Sequence, residues 1–450
     1  MAFPSDFYWG AATSSYQVEG DRPEDGRGEC IWRRFSHTPG KVKNGDTGDI
    51  ACDHLHLVKV DIALMKYLNF NAYRFSVSWP RVLPRGTGDV YSKGMDFYDR
   101  LVDDLLEENI TPFLTLYHWD LPQALQDRGG WENPDSVQWF ADYADVVTRR
   151  LGDRVQHWAT HNEPAVVAYV GNLIGAHAPG KTDPQAAFRV AHHLLLSHGA
   201  GMGVIRANAP RVQAGIVLDI IPYHPASSSE ADAQAARRYD GFQNRWFLDP
   251  IFRGEYPADM VEIFGDALRG LDLEAVKAAA VPIDFMGVNY YRRYVIQSAP
   301  GGWLAGQVID LPGVPVTEMG WEVYPQGLTD SLVRIAREYP TVDLYVTENG
   351  AAYEDVVPLD GRLPAVIEDP ERSRYIQQHI SAIDAAVQQD APLKGYFAWS
   401  FLDNFEWGEG YSKRFGLVYV DFPTQRRVFK RSALDYREWI LRQRQPARAL

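Results

Sequence analysis

The segment NAYRFSVSW, residues 71–79, is the part of the sequence that decides most about the fold. Small or polar residues alternate along it with bulky ones, which is the period-two pattern of a β-strand. The first set comprises Ala72, Arg74, Ser76 and Ser78, and the second comprises Tyr73, Phe75, Val77 and Trp79. In a closed parallel barrel, the first set would face the barrel axis and the second would face a surrounding layer of helices.

Seven further β-rich segments share this character, and helical patterns separate them. In chain order the eight segments are FYWGAATSSYQ, NAYRFSVSW, TPFLTLYHW, VQHWATHNEP, VQAGIVLDI, IDFMGVNYY, VDLYVTENG and LKGYFAWSFLD. Between them, segments such as VKVDIALMKYL and FYDRLVDDLLEEN carry apolar residues three and four positions apart, as amphipathic helices do. Eight strands with intervening helices predict an α/β protein of the (β/α)₈ TIM-barrel class.

The main structural alternative is an open, doubly wound parallel sheet. No glycine-rich phosphate turn follows the first β-rich segment, as a dinucleotide-binding sheet would require, and the barrel is therefore favoured. A barrel needs about 250 residues, so about 200 more must lie in long βα loops. The longest additional stretches are 222–281 and 297–326, and we predict one catalytic domain over residues 1–450.

Composition restricts the partners and the compartment. A net charge of −14 would repel a phosphate backbone or an anionic membrane, so neither nucleic acid nor membrane is expected as a partner. The two cysteines, Cys30 and Cys52, lack the paired spacing of a zinc site and are interpreted as free thiols. The N-terminal sequence has no basic segment followed by an apolar one, and the apolar stretch 166–178 is too short to span a membrane. We expect a cytoplasmic protein.

Polar residues gather at the carboxyl ends of the predicted strands, where barrel enzymes build their active sites. These residues are Gln17, Arg74, His118, Asn162, Glu163, Asn289, Tyr291, Glu348, Asn349 and Trp399. Glu163 ends the fourth strand and Glu348 ends the seventh, so the two can face each other across the barrel mouth. Each could instead be a salt-bridged loop residue, but each closes an otherwise apolar strand, where an unpaired charge is costly. A functional role is therefore favoured for this pair.

Two facing carboxyl groups are suited to cleavage of a glycosidic bond. One protonates the departing oxygen, and the other meets the positively charged sugar carbon. A separation of about 5 to 5.5 Å between them would retain the configuration of the sugar.

The sequence resembles glycoside hydrolase family 1 over almost its whole length. THNEP at 160–164 and TENG at 347–350 resemble the acid/base and nucleophile motifs of that family. WGAATSSYQVEG, YRFSVSWPR, LYHWDLP, NYY at 289–291 and WSFLDNFEWGEGYSKRFG at 399–416 resemble its other conserved segments. The resemblance implies a retaining β-glucosidase that acts on terminal β-D-glucosyl residues without a cofactor or metal.

The resemblance also implies roles for individual residues. Glu163 would be the acid/base, Glu348 the nucleophile, and Arg74, Asn289 and Tyr291 would support them. The substrate-binding set would comprise Gln17, His118, Trp119, Asn162, Trp321, Trp399, Glu406, Trp407 and Phe415. Amides, imidazole and carboxylates can bond sugar hydroxyls, and indole faces can cover a pyranose ring.

The electrostatic roles of the supporting residues follow from their chemistry. A cation at Arg74 and a hydroxyl donor at Tyr291 would lower the pKa of Glu348. The charge of Glu348 would in turn raise the pKa of Glu163 and keep it protonated as the acid. Once a sugar esterifies Glu348, that charge is gone, and Glu163 can act as a base.

Details of the motifs narrow the substrate class. DNFEW at 403–407 argues against 6-phosphorylated sugars, and the presence of Glu163 argues against a thioglucosidase. Ala165 stands where the family often has a tryptophan, which predicts a wider leaving-group side, with Trp321 and His177 near it. The expected substrates are aryl and alkyl β-glucosides and short β-gluco-oligosaccharides such as cellobiose. The sequence predicts neither the preference among gluco-, galacto- and fucosides nor the oligomeric state.

Two other function classes compete with this interpretation. A silent carbohydrate-binding barrel would not need both glutamates. A metal-dependent hydrolase would need a ligand cluster, but His54 and His56 point to different helix faces, and His192, His193 and His198 have no acidic ligand beside them. Activity that survives EDTA would exclude an essential accessible metal.

Overall fold

The structure is a computed structural model that describes residues 3–22, 25–340, 342–357 and 363–444. Eight parallel strands form a closed barrel in which each strand pairs with its neighbours in the sequence and the first pairs with the last. In chain order they are β1 Tyr8–Ala12, β2 Ala72–Ser76, β3 Thr111–Tyr117, β4 His157–Asn162, β5 Gln213–Asp219, β6 Phe285–Asn289, β7 Asp343–Asn349 and β8 Leu393–Trp399. The predicted (β/α)₈ class is confirmed.

A layer of helices surrounds the barrel. The longer helices span His54–Tyr67, Ser92–Glu107, Ser136–Leu151, Pro184–Asn208, Glu230–Asp240, Trp246–Arg253, Ala258–Phe264, Pro325–Glu338, Pro370–Val387 and Arg431–Arg444. Shorter helical turns span Ser15–Val18, Ile31–Ser36, Lys43–Gly45, Trp79–Val82, Gln123–Gln126, Gly130–Glu132, Val166–Ile174, Gly241–Arg245, Leu273–Ala279, Trp303–Ala305 and Trp407–Glu409. Within the described ranges, no helix is both long and apolar enough to cross a membrane.

Strand β2 shows how the sequence pattern produces the two faces of the barrel wall. Ala72 packs in the cluster of side chains that fills the barrel, together with Phe113 and Phe285. Tyr73 and Phe75 pack outward, in the larger core between the barrel and the helices. The predicted alternation is therefore confirmed, and Arg74 points into the barrel beneath its mouth.

The long loops carry small sheets of their own. Strands Tyr223–Pro225, Tyr294–Ser298 and Gly306–Ile309 form one sheet, and Val418–Asp421 pairs with Arg426–Phe429. The first of these sheets is built from the loops that follow β5 and β6, and its strands Tyr223–Pro225 and Gly306–Ile309 lie in the stretches predicted to be additional to the barrel. Both cysteines are buried free thiols, as predicted.

The prediction for the first strand is wrong at its end. β1 stops at Ala12, and Gln17 lies in the helical turn Ser15–Val18 rather than at a strand terminus. The chain turns here because the Ser15 backbone N–H donates to Ser76 Oγ at 2.8 Å instead of continuing the ladder. The Gln17 side chain still lies near the barrel mouth, where it bonds to Asn404 and to the Phe405 carbonyl.

Candidate active site

A cavity of about 340 Å³ opens at the carboxyl ends of the strands. This volume lies in the range of small-molecule sites. Most of the residues predicted from the sequence line it, namely His118, Trp119, Glu163, Asn289, Tyr291, Trp321, Glu348, Trp399, Glu406, Trp407 and Phe415. Residues from at least five different strand ends therefore converge on one site.

Three predicted residues lie behind this lining rather than in it. Gln17 donates to Asn404 Oδ1 at 3.0 Å and to the Phe405 carbonyl at 2.8 Å. Arg74 and Asn162 are buried, and they lie beside the carboxyl groups of Glu348 and Glu163. The described contacts make these three residues supports of the site, and the predicted sugar contacts of Gln17 and Asn162 stay predictions.

Glu348 ends β7 and is held by two donors. Arg74 Nη1 donates to its Oε1 at 2.5 Å, and the Tyr291 hydroxyl donates to its Oε2 at 2.5 Å. The carboxylate is only 3% exposed. Both donors favour the anion, and this contact pattern is the one expected of a nucleophile kept in place for attack.

The predicted pKa of Glu348 needs correction. Burial raises the pKa of Glu348, although Arg74 and Tyr291 act in the opposite direction. Desolvation of the charged form therefore outweighs the two donors that the sequence had identified. The sequence could not give this balance because it does not show how completely the cavity wall covers the carboxylate.

Glu163 is connected to Glu348 by a continuous chain of hydrogen bonds. Arg74 Nη2 donates to Asn162 Oδ1 at 2.7 Å, and Asn289 Nδ2 donates to the same oxygen at 3.1 Å. Asn289 Nδ2 also donates to Glu163 Oε1 at 2.6 Å. Asn162 and Asn289 therefore fix the two carboxyl groups relative to each other.

The pKa of Glu163 is well above its usual range. Burial is the main cause, followed by the negative charges of Asp219 and then of Glu348. The predicted direction is confirmed, but Glu348 is not the largest cause. A carboxyl group with a raised pKa keeps its proton to higher pH, which is what a general acid requires.

Asp219 is the residue that the sequence analysis missed. It ends β5, lines the cavity, and pairs in register with Asn289 on β6. Burial raises the pKa of Asp219 to about 7. Its only sequence signal was an acidic residue closing the apolar segment VQAGIVLDI, the same signal that identified Glu163 and Glu348.

The backbone at the site is strained in three places. Glu163, Trp119 and Trp407 have φ values of 48°, 79° and 47°, in the left-handed region that non-glycine residues rarely adopt. Such strain commonly marks functional sites, where the surrounding structure imposes it. At Glu163 the backbone N–H donates to the Val217 carbonyl at 2.9 Å, which ties the strained residue to β5.

Gly350, the glycine of the TENG motif, is required at its position for a steric reason. A Cβ atom on Gly350 would lie 1.7 Å from the carbonyl oxygen of Trp399. Only glycine lets the end of β7 approach the end of β8 so closely. Glu348 and Trp399 thereby share one wall of the cavity.

His118 is a hydrogen-bond donor available to a ligand. Asn162 Nδ2 contacts His118 Nε2 at 3.1 Å, and since Asn162 Oδ1 is already used by Arg74 and Asn289, Nε2 must accept. Burial and the nearby Arg74 lower the pKa of His118 far below its usual value, so the ring is neutral. Its proton is then on Nδ1, which is buried without a partner among the described residues.

Glu406 and Trp407 form the facing wall. Glu406 Oε2 is buried and has no partner among the residues described, and burial raises the pKa of Glu406 to about 8. The Trp407 ring packs against Trp119 at a centroid distance of 4.6 Å. An unsatisfied carboxyl oxygen beside indole rings is suited to the hydroxyls and the apolar face of a sugar.

A buried charge network holds the loop that carries this wall. Asp403 accepts from Lys430 Nζ at 2.7 Å, from Arg414 Nη1 at 2.7 Å and from the Gly416 N–H at 2.8 Å. Removing one partner from such a network leaves an uncompensated buried charge. The network therefore fixes residues 403–416 rather than taking part in binding.

The histidines considered as metal ligands have other partners. His54 pairs with Asp61 at 2.7 Å, His192 contacts the Tyr256 hydroxyl at 2.9 Å, and His198 contacts the Thr160 hydroxyl at 2.8 Å. Within the described part of the chain, no three His, Cys, Asp or Glu side chains are grouped so that they could hold a metal ion.

Known proteins match both the sequence and the fold of this chain. The sequence model of the family described as Glycosyl hydrolase family 1 matches residues 1–445. The chain belongs to glycosyl hydrolase family 1. This confirms the resemblance found in the sequence, and the chain is a retaining β-glycosidase of the β-glucosidase type.

Individual relatives of this family 1 chain are similar over nearly their full length. It is 49% identical over 438 residues to "1,4-beta-D-glucan glucohydrolase" of Thermotoga neapolitana, covering 96% of this chain and 97% of the relative. It is 48% identical over 435 residues to "Beta-glucosidase A" of Thermotoga maritima, covering 96% of each chain.

Solved structures agree with the sequence relatives. A "Family 1 b-glucosidase from Thermotoga maritima" superposes with a TM-score of 0.95 at 47% identity, covering 98% of this chain and 99% of that one. A second structure of the Thermotoga maritima family 1 enzyme, with a TM-score of 0.95 at 46% identity and 98% coverage of each chain, holds a cyclophellitol analogue that mimics the transition state.

Proposed function

We propose that Glu348 is the nucleophile and Glu163 the acid/base in the hydrolysis of terminal, non-reducing β-D-glucosyl residues. The observation that carries this proposal is the contrast between the two carboxyl groups in one cavity. Glu348 receives a guanidinium and a phenol, whereas Glu163 receives one amide and lies near two other carboxyl groups. The two donors favour the anion of Glu348, whereas burial and the two neighbouring carboxylates favour the protonated form of Glu163.

In the first step, a Glu348 carboxylate oxygen attacks the anomeric carbon as the bond to the leaving oxygen breaks. Glu163 donates its proton to that oxygen, so the leaving group departs as a neutral alcohol or sugar. Arg74 and Tyr291 keep Glu348 oriented for attack, and the product of the step is an α-linked glycosyl ester of Glu348.

In the second step, the ester no longer carries the charge of Glu348, and one cause of the raised pKa of Glu163 disappears. Glu163, now a carboxylate, takes a proton from water as the water oxygen attacks the anomeric carbon. The ester bond breaks, Glu348 is released as the carboxylate, and the sugar leaves with its original β configuration.

The remaining residues of the cavity are proposed to hold the sugar being transferred. His118 Nδ1–H can donate to one hydroxyl, and Glu406 can accept from another. Trp399 and Trp407 supply indole surface in the same cavity. Trp119 and Phe415 line the same cavity.

We extend the proposal to substrates, compartment and domain organisation. Aryl and alkyl β-glucosides and short β-gluco-oligosaccharides such as cellobiose are the proposed substrates, which the printed names of the Thermotoga relatives support. Two buried free thiols agree with a reducing, cytoplasmic compartment. The family match over residues 1–445 supports one catalytic domain.

Trapping of the glycosyl ester tests the two roles. An activated 2-deoxy-2-fluoro-β-D-glucoside slows the second step by withdrawing electrons, so the ester accumulates. We expect peptide mass spectrometry to locate the label on Glu348, and we expect Glu348→Gln to remain unlabelled. Asp310→Asn, on the exposed surface, is a matched control that removes one carboxylate elsewhere and should label fully. A label on any other residue would contradict the assignment.

A further inference from the structure

The cavity has a second half that the proposed chemistry does not use. Its polar members are Asp219 and Arg292, and Trp321, Ile220 and Ile221 lie beside them. They belong to the end of β5 and to the long loops after β5 and β6. Of these residues, Trp321 lies in the stretch 297–326 that was predicted to be additional to the barrel.

Asp219 has one carboxyl oxygen committed and one available. Gln243 Nε2 donates to Asp219 Oδ2 at 2.6 Å, which fixes the side chain. Among the described residues, no other side chain donates to it, and the residue remains partly exposed to the cavity.

Arg292 is a cation with no ion-pair partner among the described residues. Its guanidinium carbon lies 4.2 Å from the centre of the Trp321 ring and 4.9 Å from that of Tyr294. In the described part of the chain it forms no ion pair, and its Nε is buried without a hydrogen-bond acceptor. A half-buried guanidinium held between two rings has donors left for a ligand.

The position of this pair relative to Glu163 shows which part of a substrate it would meet. Asp219 lies two residues after Val217, whose carbonyl accepts the Glu163 N–H at 2.9 Å. Glu163 must reach the leaving oxygen, so groups on its β5 side, away from Trp399 and Trp407, lie beside the leaving group. This step rests on the proposed role of Glu163.

The chemistry of the pair matches a hydroxylated ring. A carboxyl group accepts hydrogen bonds, a guanidinium donates them, and the two together can bind neighbouring hydroxyls. The indole of Trp321 can cover the apolar face of a pyranose beside them. A simple alkyl or aryl leaving group offers nothing to either polar side chain and would leave both unsatisfied.

We propose that Asp219 and Arg292 bind hydroxyl groups of a second sugar ring in the leaving-group position and so select glycosyl leaving groups over alkyl and aryl ones. The two residues are specificity determinants for the reaction. They take no part in the bond-breaking itself.

The test compares three glucosides whose leaving groups differ in one property at a time. The leaving group of cellobiose must be protonated and carries hydroxyls, and that of octyl β-D-glucoside must be protonated but carries no further hydroxyls. The leaving group of 4-nitrophenyl β-D-glucoside departs without protonation and carries no further hydroxyls. The variants are Asp219→Ala and Arg292→Met, with Asp310→Asn as the control for charge. Maximal kcat/KM values are taken from full pH profiles, so that shifts in protonation do not distort the comparison.

We expect each variant to lower the ratio of kcat/KM for cellobiose to that for octyl glucoside by about ten- to a hundredfold, the effect of losing a hydrogen bond to a charged group. The control should leave the ratio unchanged. Trapping with the 2-fluoro glucoside counts intact sites in each variant, so misfolding is recognised.

Two results would overturn the proposal. An unchanged ratio would show that the pair does not contact the leaving group. Equal losses on cellobiose and octyl glucoside, with little loss on the nitrophenyl substrate, would show that the residues act only through Glu163. Absence of turnover of all three glucosides by the wild type would instead contradict the proposed function.

Discussion

The ends of β7 and β4 carry the same residue type in opposite surroundings. Glu348 at the end of β7 has a cation and a hydroxyl donor within hydrogen-bonding distance. Glu163 at the end of β4 has one amide donor and an acidic residue, Asp219, on the neighbouring strand. The neighbours on adjacent strands, rather than the glutamates themselves, therefore distinguish the two proposed roles.

The largest effect is expected from removing the β7 carboxylate. Glu348→Ala should lower kcat for 4-nitrophenyl β-D-glucoside by about 10⁴-fold or more, equal to about 5.4 kcal/mol of activation free energy. The reason is that the proposed ester forms on the Glu348 carboxylate. Steady-state assays with added azide give a second readout. Azide can attack the anomeric carbon from the side that the shortened residue 348 leaves open, and the product should be the α-glucosyl azide. Wild-type-like turnover would mean that Glu348 is not the nucleophile.

Removal of the β4 carboxyl group should have a smaller and substrate-dependent effect. Glu163→Ala should slow cellobiose hydrolysis by about 10²- to 10⁴-fold, and substrates with good leaving groups should be less affected in kcat/KM. Azide should restore turnover and yield the β-glucosyl azide by attacking the α-linked ester. Equal losses for good and poor leaving groups would contradict the role of Glu163 as acid.

Tyr291→Phe removes one of the two donors that stabilise the Glu348 anion. The lost hydroxyl lowers the pKa of Glu348 in the wild type, so its removal should raise that pKa further. Because the nucleophile must be ionised, the acidic limb of the kcat/KM profile should move to higher pH. We expect about a ten- to hundredfold loss at the optimum, measured by initial rates. An unmoved acidic limb would mean that the phenol does not support the Glu348 anion.

Asp219→Asn makes the surroundings of the two glutamates more alike and should have the smallest effect. The charge of Asp219 raises the pKa of Glu163, so its loss should lower that pKa. The acid must be protonated, and the alkaline limb of kcat/KM should therefore move to lower pH, by up to about one unit. A limb that stays in place or moves upward would show that Asp219 does not act on Glu163.

Much of the fold and the site followed from the sequence because the decisive patterns are local. The alternation in 71–79 needs only the period of a strand, and the strand-end glutamates stand out within single apolar segments. Gln17 was misplaced because the bond from Ser15 to Ser76, which turns the chain after β1, joins distant segments.

Asp219 and Arg292 show where sequence reasoning stops. Asp219 closes an apolar segment as Glu163 and Glu348 do, but no motif surrounds it, and a single arginine in a loop carries no recognisable pattern. Their meaning depends on the closure of the barrel, which brings β5 between β4 and β6. The balance between burial and charge at Glu348 also depends on distant segments of the chain. The direction in which the pKa of Glu348 shifts therefore could not be predicted from the residues next to it in the sequence.

The stereochemical course of the reaction tests the central claim, that Glu163 and Glu348 act as an acid/base and a nucleophile in two displacements. Proton NMR can follow 4-nitrophenyl β-D-glucoside during hydrolysis, with Glu348→Ala as the control. We expect β-glucose to appear first and the variant to be inactive. First appearance of α-glucose would mean a single displacement by water and would contradict the roles assigned to both glutamates.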